Sequence, residues 1–157
     1  MGSILQLDQI PKWREKLKKL EKRIVLVGGC FDILHPGHII FLEKAKKAGD
    51  IVIVFLESDQ KVKELKGNGR PIHTQKDRAK ILSALKSVDF VVMLPYLDNG
   101  KDYDELISKI KPDVIALTFG DENTHHKRSA KLVGAKLKYV TKMIGNHSSS
   151  RILGESI

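Results

Sequence analysis

Apolar residues fall in two rhythms along this chain. Short runs rich in β-branched residues, IVLVGG from Ile24 to Gly29, IVIVFL from Ile51 to Leu56, FVVML from Phe90 to Leu94 and VIALT from Val114 to Thr118, are apolar throughout, as strands covered on both faces are. A fifth strand is expected over Lys136 to Thr141. Between the strands, apolar positions recur every three or four residues, the spacing of an amphipathic helix. Pro11 to Lys22 turns Ile10, Trp13, Leu17 and Leu20 to one side, Gly37 to Lys47 turns Ile39, Leu42 and Ala45, and Gln75 to Lys86 turns Ile81, Leu82 and Leu85. Shorter helices are expected from a Ser58 or Asp59 cap to Leu65, over Tyr103 to Ile110, and over Lys127 to Val133 before Gly134. Ser148 to Leu153 reads as a capped turn or short helix, while GNGRP and DNGKD read as loops.

Strands and helices that alternate in this way predict an α/β, Rossmann-like parallel sheet of about five strands, with helices on both faces. Ligands of such sheets bind beyond the carboxyl ends of the strands, at the switch in strand order. The pattern predicts one domain over 23–157, preceded by an amphipathic helix over 1–22 that packs on the domain or on a partner chain. No repeat or linker interrupts it.

Charge narrows the partners. Lys and Arg number 28 against 19 Asp and Glu, a formal +9, which favours an anionic ligand. The lysines alternate with glutamates in KWREKLKKLEKR and LEKAKKAGD. One Trp, three Tyr and five Phe leave no stacking platform, which argues against nucleic acid. No apolar run approaches the roughly 20 residues that span a bilayer. The start, MGSILQLDQIPKW, lacks the pattern of a signal peptide, so a cytoplasmic protein is expected. The lone Cys30 cannot form an internal disulfide and reads as a small loop residue rather than a catalytic thiol.

The chemistry concentrates in GGCFDILHPGH, from Gly28 to His38. It sets His35 and His38 three positions apart at a strand-to-helix junction, with Pro36 and Gly37 between them. Residues at this spacing share a helix face. A helix start offers unpaired N–H groups and the positive end of the dipole, which attract phosphate. Two imidazoles there can donate to a phosphoryl group that gains charge as it is attacked.

Together with ESDQKVKELKGNGRPI, RAKILSALKSVDFVV and the terminal HSSSRI, this string resembles the HxGH nucleotidyltransferases over roughly Lys22 to Ile152. Within that superfamily the chain looks most like the adenylyltransferase domains of bifunctional ADP-heptose synthases. Their SD, LKG and RPI elements, with an arginine eight residues after the first, appear as Ser58-Asp59, Leu65-Lys66-Gly67, Arg70-Pro71-Ile72 and Arg78. It is also similar to glycerol-3-phosphate cytidylyltransferases and archaeal FAD synthases. The resemblance implies transfer of a nucleotidyl group from an NTP, ATP foremost, to a sugar or polyol phosphate of the heptose 1-phosphate type, with release of pyrophosphate. It implies catalytic roles for His35, His38, Lys66 and Arg78, and Mg²⁺ held mainly by the nucleotide phosphates, with no metal-ligating residues in the protein.

The same resemblance places Gly29, Cys30, Phe31, Asp32, Gly37, Gly120 and Asp121 at the nucleotide, and Ser148, Ser149 and Ser150 at its β- and γ-phosphates. Asp32 either touches ligand or fixes the loop. Lys63 is a second candidate beside Lys66, and Arg70 either meets phosphate or caps a loop. A homodimer is expected as in related folds. The chain departs from the family where KGGDY becomes Thr118-Phe119-Gly120-Asp121-Glu122, which leaves ATP or CTP open. His125, His126, Lys127 and Arg128 either bind a phosphorylated acceptor or form a surface loop, the loop being favoured, and His125, His126 and His147 lack zinc-ligand spacing.

Two rivals from other classes stay in play. One is a nucleotide- or nucleic-acid-binding module without turnover, motivated by the charge. The other is a dinucleotide-dependent oxidoreductase, disfavoured because GGCFDI lacks the G-x-G-x-x-G spacing.

Overall fold

Alternation along the apolar runs decides which side chains face which layer. The computed structural model describes residues 1–121, 124–142 and 148–154. Six strands form one parallel sheet: β1 (Ser3–Ile4), β2 (Ile24–Gly29), β3 (Ile51–Leu56), β4 (Phe90–Met93), β5 (Val114–Thr118) and β6 (Lys136–Thr141), in the order β1-β4-β3-β2-β5-β6. Leu26, Ile53, Phe55, Ile115 and Leu117 point to one face. Val25, Val27, Val52, Val54 and Ala116 point to the other.

The first face is covered by α1 (Ile10–Lys19), α5 (Gly100–Ile110) and α6 (Thr124–Val133), through Ile10, Trp13, Leu17, Ile107, Ile110 and Ala130. The second is covered by α2 (Pro36–Lys46) and α4 (Gln75–Ser83), through Leu42, Ala45, Ala79 and Leu82. A short α3 (Asp59–Lys66) follows β3, and α7 (Ser149–Ile152) lies near the carboxyl end of the chain. Trp13 meets Phe90 edge-on with centroids 5.3 Å apart, so it belongs to the core. Among the described residues no helix is long and apolar enough to cross a membrane.

Several boundaries differ from those the spacing predicts, each for a local reason. The sixth strand, β1, has two exposed residues and no apolar pattern to announce it; it is held by pairing with β4. Helix α1 ends at Lys19, leaving Leu20 54% exposed instead of in the apolar stripe. Helix α4 ends at Ser83, and Ile81 sits on its solvent side. Helix α5 begins at Gly100 because the Asn99 side chain accepts from the amides of Lys101 and Asp102, so part of the predicted DNGKD loop is helix. Helix α6 begins at Thr124, so His125 to Arg128 are helical rather than loop. Glu122 and His147 lie outside the described residues.

Strand order reverses beside β2. The chain runs from β2 outward to β3 and β4, then returns to place β5 on the other side of β2. A crevice at the carboxyl end of β2 is the expected ligand site of such a sheet.

Candidate active site

Strand β2 ends at Gly29, where a Cβ would lie 2.9 Å from the ring of Phe31. Glycine there lets that ring fold back beneath the loop, and Phe31 adopts a positive φ of 45° to do so. The loop is then tied down by Asp32. Its buried carboxylate accepts from the amides of Ile72 at 2.8 Å and His73 at 3.1 Å, and from Arg70 Nε at 2.6 Å. Burial alone would raise this carboxyl, but the two amides and the guanidinium hold it below its usual range. Of the two readings for Asp32, the geometry is that of the loop anchor.

His35 is the N-cap of α2, in extended conformation, and Pro36 opens the helix. One turn places His38 against it. The two rings stack with centroids 3.8 Å apart and planes inclined by 25°, and the His35 amide donates to His38 Nδ1 at 3.4 Å. Phe31 backs the His38 ring at 5.2 Å. Burial, then His35, then Lys66 depress His38 to about 4, because a second cation there would be poorly solvated and repelled. At neutral pH His38 is a neutral imidazole, with one N–H to donate and one nitrogen that can accept a proton.

Both rings face a cavity of about 360 Å³ at the carboxyl ends of β2 and β5, within the range of small-molecule sites. Gly29, Cys30, Phe31 and Gly37 form the wall on the β2 side. Asp121, from the turn after β5, closes the other side. Lys66, Lys142, Thr118, Thr141, Ser148 and Ser149 add polar lining. Burial pushes the Cys30 thiol up, against the pull of Lys66, so it is no thiolate nucleophile.

The three serines have different tasks. Ser148 caps α7 by accepting from the Arg151 amide at 3.1 Å. Ser149 Oγ accepts from Lys66 Nζ at 3.1 Å and from Arg70 Nη2 at 2.8 Å, and Ser150 Oγ accepts a longer bond from Arg70 at 3.5 Å. Arg70, 3% exposed, thus joins the Asp32 loop to the serine turn and does not line the cavity. Lys63 is exposed and outside the cavity wall. Gly120 takes a φ of +95° in the turn that brings Asp121 to the site.

Arg78 is placed differently from what its position at a helix start suggests. Its side chain has no exposure, and its guanidinium donates to the carbonyls of His73, Cys30 and Glu57 and to Asp59 Oδ1 at 2.7 Å. Phosphate contact gives way to loop bracing. Three loops beside the cavity are tied by this one cation, and its removal would orphan buried carbonyls at a cost of about 1–3 kcal/mol each. No sequence signal separates such a brace from a phosphate ligand, since its partners lie up to 48 positions away.

Of His125 to Arg128, the structure brings His126 to the cavity. His126, in the first turn of α6, reaches the cavity beside Asp121, and its Nδ1 is buried with no hydrogen-bond partner among the described residues. Burial lowers its pKa, with Asp121 opposing, so it is a neutral imidazole at neutral pH. His125 next to it is exposed.

The arrangement suits an anionic, nucleotide-like ligand, and the comparisons with known proteins agree. The chain is 48% identical over 112 residues to the bifunctional proteins HldE of Aliarcobacter butzleri and Wolinella succinogenes, a match covering 71% of this chain and 23% of each relative. It therefore spans about a quarter of the length of these curated relatives. Among solved structures, a lipopolysaccharide core biosynthesis protein from Thermoplasma volcanium is 29% identical, with a TM-score of 0.60 over 80% of this chain and 99% of that one. A pantoate-beta-alanine ligase from Francisella tularensis, 19% identical with a TM-score of 0.68 over 99% of this chain and 74% of that one, shares the fold. The cytidylyltransferase-like family model matches residues 26–152, and the chain belongs to that family of nucleotidyltransferases.

Proposed function

We propose that this nucleotidyltransferase joins the AMP moiety of ATP to a sugar or polyol phosphate of the heptose 1-phosphate type and releases pyrophosphate. The observation that carries this reading is the stacked His35–His38 couple, opening onto a cavity whose rim also presents Lys66 and Ser149. An oxygen of the acceptor phosphate attacks the α-phosphorus. The bond to the bridging oxygen breaks, and pyrophosphate leaves with that electron pair. The acceptor needs no base, because its second pKa is near 6 and it is already an anion at neutral pH. Catalysis is then positioning and charge stabilisation. His35 and His38 donate toward the crowded phosphoryl oxygens, and Lys66 with Ser149 holds the departing end.

The donors facing the cavity are imidazoles, the ammonium groups of Lys66 and Lys142, and hydroxyls, with Asp121 the one carboxylate among the described lining residues. Such a set fits phosphate oxygens better than it encloses a metal. Mg²⁺ would be held by triphosphate oxygens and water, and when bound it would neutralise charge on the leaving pyrophosphate.

Pyrophosphate release across ATP, CTP, GTP and UTP, each with heptose 1-phosphate, glycerol 3-phosphate and FMN, tests the assignment. ATP with the heptose phosphate is expected to be fastest. CTP with glycerol 3-phosphate, or ATP with FMN, would move the chain to another substrate class. Silence in all combinations, with tight and salt-sensitive oligonucleotide binding, would favour a module without turnover.

A further inference from the structure

The histidine couple at the end of β2 has one strand on each side, β5 and β3. On the β5 side, Asp121 and His126 line the cavity. On the β3 side its wall includes Phe55 of β3, Lys66 of α3 and Ile107 of α5. Positions two apart along a strand face the same way, as do positions four apart on a helix. Glu57 follows Phe55 by two, and Tyr103 precedes Ile107 by four. The two polar side chains meet there: Tyr103 Oη lies 3.0 Å from each carboxylate oxygen of Glu57. Neither is among the residues that line the cavity; each stands one same-face step from a residue that does.

This carboxylate is firmly placed and lightly used. The Glu57 amide donates to the Gly29 carbonyl at 3.1 Å, and its own carbonyl accepts from Arg78 at 2.9 Å, so the backbone is fixed beside Cys30. A carboxylate offers about four acceptor positions. Among the described residues a single phenol supplies its side-chain hydrogen bonds, shared between both oxygens. Burial pushes the Glu57 carboxyl up, with Tyr103, Lys61 and Arg78 pulling back, and burial with Glu57 raises the phenol, which stays a donor. Groups that are partly desolvated, preorganised and short of donors bind hydroxyls well.

We infer that Glu57, oriented by Tyr103, is the acceptor subsite and takes hydroxyl donors from a polyhydroxylated phosphate, leaving the β5 side of the cavity to the nucleotide. This rests on the assignment of a sugar or polyol phosphate above. Two substrates would then flank the histidine couple, one on each neighbouring strand of β2.

The test pairs Glu57→Gln and Tyr103→Phe with monodeoxy analogues of whichever sugar phosphate the wild type turns over. Glu57→Gln should raise the acceptor KM about tenfold or more while the ATP KM stays within twofold. Tyr103→Phe should do the same more weakly. At least one deoxy analogue should lose in the wild type what it no longer loses in Glu57→Gln, a coupling that a purely structural clamp between β3 and α5 would not produce. Unchanged acceptor KM in a folded variant, equal losses for both substrates, or no coupling with any analogue would overturn the subsite while leaving the assigned reaction standing. A wild type silent on every polyol phosphate would overturn both.

Discussion

Two histidine pairs stand at helix starts on the carboxyl edge of the same sheet, and only one of them forms a couple. His35 and His38, three apart at the start of α2, share a face and stack at 3.8 Å in the cavity. His125 and His126 are adjacent in the first turn of α6, so they diverge. One lines the cavity from the β5 side while the other is exposed. Spacing, rather than residue type or place in the sheet, separates two imidazoles that stack on one face from two that diverge.

The largest expected effect falls on the stacked pair. His35→Ala and His38→Ala should each lower kcat about 10²–10³-fold, as loss of a donor to developing charge does. If both act on one group, as proposed, the double variant should fall little further than the worse single one. Steady-state pyrophosphate assays on the three variants would show this, and strictly multiplicative losses would dissolve the couple into two independent residues.

Next comes protonation. His38 is held to about 4 in the folded chain, against about 6.5 for an ordinary histidine. Above that ordinary value both states are neutral and nothing is lost. As pH falls from about 6.5 to about 4, the unfolded chain takes up a proton that the native site refuses, and stability declines by up to about 3 kcal/mol. Denaturant melts at pH 7 and pH 4.5 should show a steeper decline for the wild type than for His38→Ala; parallel declines would contradict the depressed value. A bound triphosphate counters the repulsion from Lys66, so binding should take up protons as pH falls, measurable by calorimetry in buffers of different ionisation enthalpy.

Smaller effects belong to the second pair. His126→Ala should raise the nucleotide KM about three- to tenfold with kcat nearly unchanged, as expected for a contact made equally before and during the reaction. His125→Ala should leave both within twofold. If His125 proved the more sensitive of the two, α6 would present its other face to the ligand.

Much of the scaffold could be read from the residue pattern because it follows local rules. The β-branched runs became β2 to β5, and the His-Pro-Gly-His spacing placed its imidazoles without any knowledge of the rest of the fold. What escaped depends on contacts distant in the chain. Arg78 looks like a phosphate ligand until its acceptors, Cys30, Glu57 and His73, are seen around it. Glu57 and Tyr103 are 46 positions apart and carry no motif. Helix α6 starts early with polar His125 and His126, which have no apolar period to mark them. The two-residue β1 is fixed by pairing with β4, distant in the chain.

Single-turnover transfer at saturating ATP and sugar phosphate, with the ATP Kd measured in parallel, separates stabilisation of the displacement from mere binding. For His38→Ala the chemical step should slow by at least about 100-fold while the Kd moves less than threefold. An unaltered chemical step, or a loss found wholly in the Kd, would contradict a role for the stacked imidazoles in steadying charge at phosphorus.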